Sequence, residues 1–175
     1  LIEYDSSWPD EFSKERDSII SAIGAFVLRI EHIGSTAIPE IKAKPLIDIA
    51  VEVEDESALG KIREPLEKKG YTYFGDRERR GDYFFAKGPE SARTHYLHVS
   101  TKDSSRFSEV VYFRDRLRAD KQLAEFYEEL KVSIAIEHAE DRKEYTKKKE
   151  SFIENVMKGF SNKTDILTSE AAPHA

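Results

Sequence analysis

Within the stretch EHIGSTAIPEIKAKPLIDIAVEVED, residues 31–55, Gly34 and Ser35 follow one apolar run and Asp48 lies inside the next. A glycine followed by a small hydroxyl residue lets backbone N–H groups come close to an anion, and a helix N-terminus behind it would favour phosphate. Gly34 and Ser35 are therefore candidate phosphate ligands. The loop is not a Walker A motif, because GSTAIPEIKAK lacks a second glycine followed by Lys-Ser/Thr. Asp48 would present its carboxylate from the polar side of a strand, a donor suited to Mg2+ or Mn2+. The same residues are also what a structural turn and a hydrogen-bonded aspartate look like.

The flanking pattern defines the elements that must hold these groups. Ser7, Pro9 and Asp10 predict a helix from the start of WPDEF to about Ile23, with Phe12, Ile19, Ile20 and Ile23 inward. Gly24 can stop it, and AFVLRIEHI reads as a strand with Phe26, Leu28 and Ile30 on one face. In LIDIAVEV, Ile47, Ile49, Val51 and Val53 face one way and Leu46, Asp48, Ala50 and Glu52 the other. A helix capped by Ser57, kinked or divided at Pro65 and ended by Gly70 precedes strands at YTYF, DYFFAKG and THYLHVS. From about Ser104 the pattern turns helical: Phe107 to Leu117, then a helix capped by Asp120, then one from about Asp141 to Phe160. Helices packed on a mixed sheet make an α+β fold, with one domain over residues 1–160 and a mobile tail over 161–175.

Further candidates surround the same region. In RTHYLHVS, alternation puts His98 with Thr94, Tyr96 and Ser100, and His95 on the opposite face. His98 can ligate a metal, orient phosphate or act as a general base near neutral pH. His32, just before the turn, and His95 are weaker candidates, and His138 and His174 read as solvated. Lys44 at the entry to the Asp48 strand can reach a phosphate. Arg77, Arg79 and Arg80 in the GDRERRGD connection, with Lys87 and Arg93 at the next turn, can grip a polyphosphate or simply meet solvent. Tyr83, Phe84 and Phe85 are core at strand spacing, or a stacking surface for a base.

Composition narrows the partners. A net charge of −6 with 35% charged residues gives no support to broad nucleic-acid binding, and KKKE near the C-terminus reads as a solvated face. No cysteine is present, which removes thiol chemistry and fits a reducing, cytoplasmic setting. The first residues lack the form of a signal peptide, no run approaches membrane-spanning length, and the opening at Leu1 points to a trimmed chain.

The Gly-Ser turn, spacer and strand aspartate resemble the signature of the nucleotidyltransferase superfamily. WPDEF, LRIEHIGSTAIP, AKPLIDIAVEV, FFAKG, RTHYLHV, FRDRLRAD and YTKKKESF together resemble the GrpB family, from about Tyr4 to Phe160. The resemblance implies a nucleotidyltransferase-like mixed sheet packed with helices. It also implies a nucleoside triphosphate or other phosphorylated small molecule as ligand, with Mg2+ or Mn2+. In this reading Gly34, Ser35, Lys44, Arg80 and Arg93 hold phosphate, Asp48 and Glu52 hold metal, and Asp48 and His98 are catalytic. One departure matters: the superfamily strand carries two acids two residues apart, and here the positions are Asp48-Ile49-Ala50. Glu52 is the next acid on that face, about 13 Å along an extended strand. Two outcomes follow from the resemblance: nucleotidyl transfer to an acceptor, or a nucleotide- or phospholigand-binding module that lacks the paired acids.

Overall fold

Asp5 accepts the backbone N–H of Ser7 at 2.8 Å, and Pro9 lies in the first turn, where its missing N–H has no helical partner to lose. These residues start helix α1, Trp8–Ile23, which buries Trp8, Ile19 and Ile23. The computed structural model describes residues 1–77, 81–136 and 139–160. Residues 161–175, read above as a tail, lie outside the described residues, as do Arg79, Arg80 and His138.

Strand β1 is Val27–Ile33. Simple alternation put Phe26, Leu28 and Ile30 on one face, but the pairing register shifts between Val27 and Arg29. The irregularity turns Leu28 outward, 46% exposed, while Val27 and Ile30 pack on the core. Strand β2, Ile47–Val53, is followed by helix α2, Glu56–Lys68. Asp55, rather than Ser57, caps α2 by accepting from Ser57 N at 2.9 Å and Ala58 N at 3.3 Å. Pro65 lies inside α2 and does not divide it.

Strands β3, Tyr71–Asp76, β4, Tyr83–Lys87, and β5, His95–Thr101, complete a five-stranded sheet in the order β1-β2-β5-β4-β3. Neighbours pair antiparallel except β2 and β5, which run parallel. Ile47, Ile49, Val51 and Val53 line one face with Phe85, Leu97 and Val99, sharing a core with residues of α1 and α2. Each fully buried aliphatic side chain there contributes about 1.5–3 kcal/mol relative to exposure.

The other face carries Ala50 and Ile33 under Phe107 of helix α3, Arg106–Ala119. Helix α4, Lys121–Ile136, begins with Asp120 accepting from Leu123 N at 3.1 Å, and helix α5, Ala139–Met157, follows. Leu117, Tyr127, Leu130, Phe152 and Val156 of these helices close a second core around Ile38 and Ile41, which belong to the β1–β2 connection. The C-terminal helices are thus anchored on the loop that carries the Gly-Ser turn. Among the described residues no helix is long and apolar enough to cross a membrane.

Candidate functional site

Residue Ile33 pairs with Asp48 across β1 and β2, so the residue after β1, Gly34, is delivered onto the Asp48 carboxylate. Gly34 has φ +72°, and a Cβ at that position would lie 2.5 Å from Asp48 Oδ2. Only glycine lets the backbone pass so close to the acid. Ser35–Ala37 then forms one 3-10 turn, closed by Ala37 N to Gly34 O at 3.1 Å.

The turn is pinned from several sides. Thr36 Oγ1 donates to Leu46 O at 3.0 Å, across the base of the loop, and lies 2.9 Å from His32 Nε2. His32 is buried and stacked on Phe12, with centroids 4.9 Å apart and rings 8° from parallel. Burial first, and then the Arg118 and Arg114 guanidiniums, push His32 down to about 4, so it is neutral. Because the Thr36 hydrogen is committed to Leu46, His32 donates from Nε2. Arg118 Nε donates to Ala37 O at 2.7 Å, and Arg114 NH1 to His32 O at 2.8 Å. His32 is thus committed to holding the turn.

On the other side of Asp48 stands His98. Its Nε2 lies 3.4 Å from Asp48 Oδ1, and its Nδ1 lies 3.1 Å from both carboxylate oxygens of Asp82. Burial alone would lower His98, but the hydrogen bonds and charges of Asp48 and Asp82 outweigh it and push the imidazole up to about 9. Burial alone would raise Asp82, yet its bond to His98 and the nearby Arg106 and Arg77 charges hold it below the usual carboxylate range. His98 is therefore a cation with both ring N–H groups donating. In that form a metal or an incoming proton at His98 would have to displace one of its two carboxylate partners. Asp82 was missed by the sequence reading. It lies just before β4, where strand alternation gives no reason to single it out.

A cleft of about 610 Å³ opens beside Asp48, between the Gly-Ser turn and helices α4 and α5. Ser35, Thr36, Lys44, Leu46 and Asp48 form one wall, and Tyr127, Lys131 and Lys149 stand on the other. Tyr127 is buried, which pushes its phenol up against the opposing influence of the Ser35 side chain. Burial, more than the opposing charge of Glu128, pushes Lys131 down to about 8, and Lys149 adds to that lowering. Lys131 Nζ donates to Lys42 O at 2.7 Å and lies 5.0 Å from the Tyr127 ring centroid. Lys149 belongs to the KKKE run read as solvated, whereas its neighbour Lys148 pairs with Glu144 on the exposed side of α5.

Other candidates fall elsewhere. Glu52 is not brought to the cleft. It is buried and paired in two bonds with Arg29, at 3.0 and 2.6 Å, so its oxygens are taken by a guanidinium that also covers Phe107. Arg93 donates to Gly88 O and lies over Phe74, away from the lysines. Arg80 lies outside the described residues. His95 and Lys87 meet Glu15 and Tyr71 on the opposite sheet face, where they tie α1 to the sheet. Phe85 is core, whereas Phe84 shares the face of Asp48 and stands beside His98.

Among the described residues, no group of three or more His, Cys, Asp or Glu is placed to hold a metal. The donor set does not fit a two-ion centre: position 50 is alanine, Glu52 is ion-paired, and both ring nitrogens of His98 face carboxylates. It does fit one Mg2+ held by Asp48 together with phosphate oxygens and water, since Mg2+ needs only one or two protein carboxylates.

A mixed sheet with an antiparallel first strand, a Gly-Ser turn lying on an aspartate of the second, and helices across the turn is the nucleotidyltransferase-like fold. The chain also superposes on the MgGTP-bound Cid1 poly(U) polymerase with a TM-score of 0.52, at 12% identity over 77% of this chain and 44% of that one. The likeness is one of fold. A profile of the GrpB protein family matches residues 1–159, and the chain belongs to that family. It is 34% identical to the glutamate-rich protein GrpB of Alkalihalophilus pseudofirmus, over 90% of this chain and 92% of that protein. It is 33% identical to the UPF0157 protein YqkA of Bacillus subtilis over 87% of this chain, but spans only 44% of that longer relative. The crystal structure of GrpB from Enterococcus faecalis superposes with a TM-score of 0.77 and 31% identity, covering 90% of this chain and 94% of that one.

Proposed function

We propose that the cleft binds the phosphates of a nucleoside triphosphate, or of another phosphorylated small molecule, with one Mg2+ or Mn2+ at Asp48. One observation carries this reading. The Gly34-Ser35 turn lies against Asp48 at the mouth of a cleft whose walls present Lys44, Lys131 and Lys149. Lysine charges and a glycine-opened backbone suit a polyanion, and partial burial of Lys131 and Lys149 strengthens their contacts. The ion, when bound, would neutralise phosphate oxygens next to Asp48. His98, fixed between two carboxylates, holds the Asp48 side chain in place. The activity that goes with this arrangement is nucleotidyl transfer, in which positioning and charge stabilisation do most of the work.

A second reading, binding without turnover, is favoured by the commitment of Glu52 to Arg29 and by Ala50 opposite His98. Thermal unfolding with each common nucleoside triphosphate, with and without Mg2+ or Mn2+, tests both. A ligand at about a hundred times its Kd adds roughly 2.7 kcal/mol, several degrees of Tm. Metal-dependent stabilisation lost in Asp48→Asn supports the site, and pyrophosphate release then separates transfer from binding alone. A folded wild type that shifts with no triphosphate sinks the proposal.

A further inference from the structure

The sheet face that carries Asp48 continues beyond it as a row of rings. Tyr96 of β5 is paired in register with Asp48, and Phe84 of β4 with His98. Phe84 meets Tyr96 edge-on at 5.0 Å, and Phe74 of β3 lies 5.8 Å from Phe84. Aromatic residues at strand spacing are ordinarily core, as the neighbouring Phe85 is on the opposite face. Phe74 is instead 52% exposed, and the main sheet contacts of α3 are with β1, β2 and β5. The row also carries positive charge. The Arg77 guanidinium lies 4.4 Å from the Phe84 centroid, and that of Arg93 lies 5.4 Å from the Phe74 centroid.

We infer that Tyr96, Phe84 and Phe74, with Arg77 and Arg93, form an acceptor platform that stacks a nucleobase and holds its attached phosphate beside Asp48. The inference rests on the lysine cleft as the triphosphate site. In phosphoryl chemistry the entering and leaving oxygens lie roughly in line on opposite sides of phosphorus. The Gly-Ser turn and the lysines occupy the helix side of Asp48, so pyrophosphate departs there and the acceptor oxygen arrives over β5 and β4. An acceptor hydroxyl oxygen forms the bond to the α-phosphorus while the bond to the α,β-bridging oxygen breaks. The hydroxyl proton passes to water and pyrophosphate leaves. Rings accept any base through its π face, and guanidinium groups supply both charge and a flat partner, which together select a nucleotide over an aliphatic phosphate.

Calorimetry with the four ribonucleoside monophosphates, on protein saturated with inorganic tripolyphosphate and Mg2+, tests the platform. At least one monophosphate is expected to bind while tripolyphosphate stays in place. Base stacking is worth enough that Phe84→Leu should weaken monophosphate binding about fivefold or more, with tripolyphosphate affinity kept. Arg77→Ala removes the exposed guanidinium over Phe84 but keeps the ring and the backbone bond from Arg77 N to Asp82 O, so it should weaken it as well and guards against misfolding of the first variant. A monophosphate that displaces tripolyphosphate, or that binds both variants as well as the wild type, overturns the inference. Tripolyphosphate binding with no monophosphate binding also overturns it, and leaves the phosphate cleft standing. If folded protein binds neither probe, the cleft reading falls with it.

Discussion

Replacing Gly34 with alanine should damage both the fold and the site, by an amount that follows from two local facts. The first is φ +72° at Gly34, a conformation that costs an L-residue about 1–2 kcal/mol. The second is the added Cβ itself, which would sit 2.5 Å from Asp48 Oδ2 and 2.9 Å from both Asp48 Cβ and Cγ. Two of those atoms belong to the rigid base of a strand side chain, so the acid must rotate or the turn must lift. Rotation also costs the Asp48 contact with His98. Together these give about 2–3 kcal/mol, or about 4–12 °C in Tm for a chain of this size. Gly60→Ala is the matched control. Its Cβ would meet nothing within 4 Å in the exposed middle of α2, so it should stabilise by about 0.5–1 kcal/mol. Urea and thermal unfolding of both variants, with and without triphosphate and Mg2+, measure the effect. A Gly34→Ala protein as stable as wild type, and equally stabilised by ligand, would refute the claim that the turn is built around Asp48.

The His98 cation predicts a pH signature. Its folded pKa of about 9, against 6.5 for the ordinary imidazole, means that the stability it contributes is full below about 6.5 and disappears as pH rises through 9. Across that window the urea-derived stability of the metal-free wild type should fall by about 3 kcal/mol relative to His98→Asn, and a constant difference would contradict the doubly bonded cation. Glu52→Gln should cost about 1–3 kcal/mol by leaving Arg29 without its charged partner, while the Mg2+ dependence of any ligand-induced Tm shift stays unchanged. Loss of that dependence would return Glu52 to the metal site. Lys131→Met should keep the Tyr127 packing and weaken triphosphate binding about tenfold by calorimetry, and undiminished affinity would remove Lys131 from the phosphate wall.

The strands and helices were legible because their signals are local. Alternation in LIDIAVEV put Asp48 and Ala50 on one face and the core on the other, and the register of β2 agrees. Leu28 was misplaced because a register shift depends on the partner strand, which the β1 sequence does not contain. Asp55 displaced Ser57 as the cap because both residues suit that role and their spacing alone does not choose between them. At the site, the Gly34 and Asp48 meeting was readable from the turn and the strand. Its other members were not. Asp82, Tyr127, Lys131 and Lys149 reach Asp48 or its cleft only through the β4–β5 pairing and the docking of α4 and α5, and helical spacing marks Tyr127 only as a core position. Glu52 looked available because its ionic partner Arg29 is on a different strand.

The two walls of the cleft are far apart in the chain, one at residues 35–48 and the other at residues 127–149. During synthesis the Gly-Ser turn and Asp48 emerge first, at a ribosomal pace of about 5–20 residues per second. The tyrosine and the two lysines opposite them follow only after the sheet's last strand has been made. Contacts of such long sequence separation close late, because the loop entropy must be overcome before they form. Until α4 settles on Lys42 and on the turn, the nascent chain has a signature but no container. A polyanion that fits the finished cleft would bridge the two walls and act as a late staple between them.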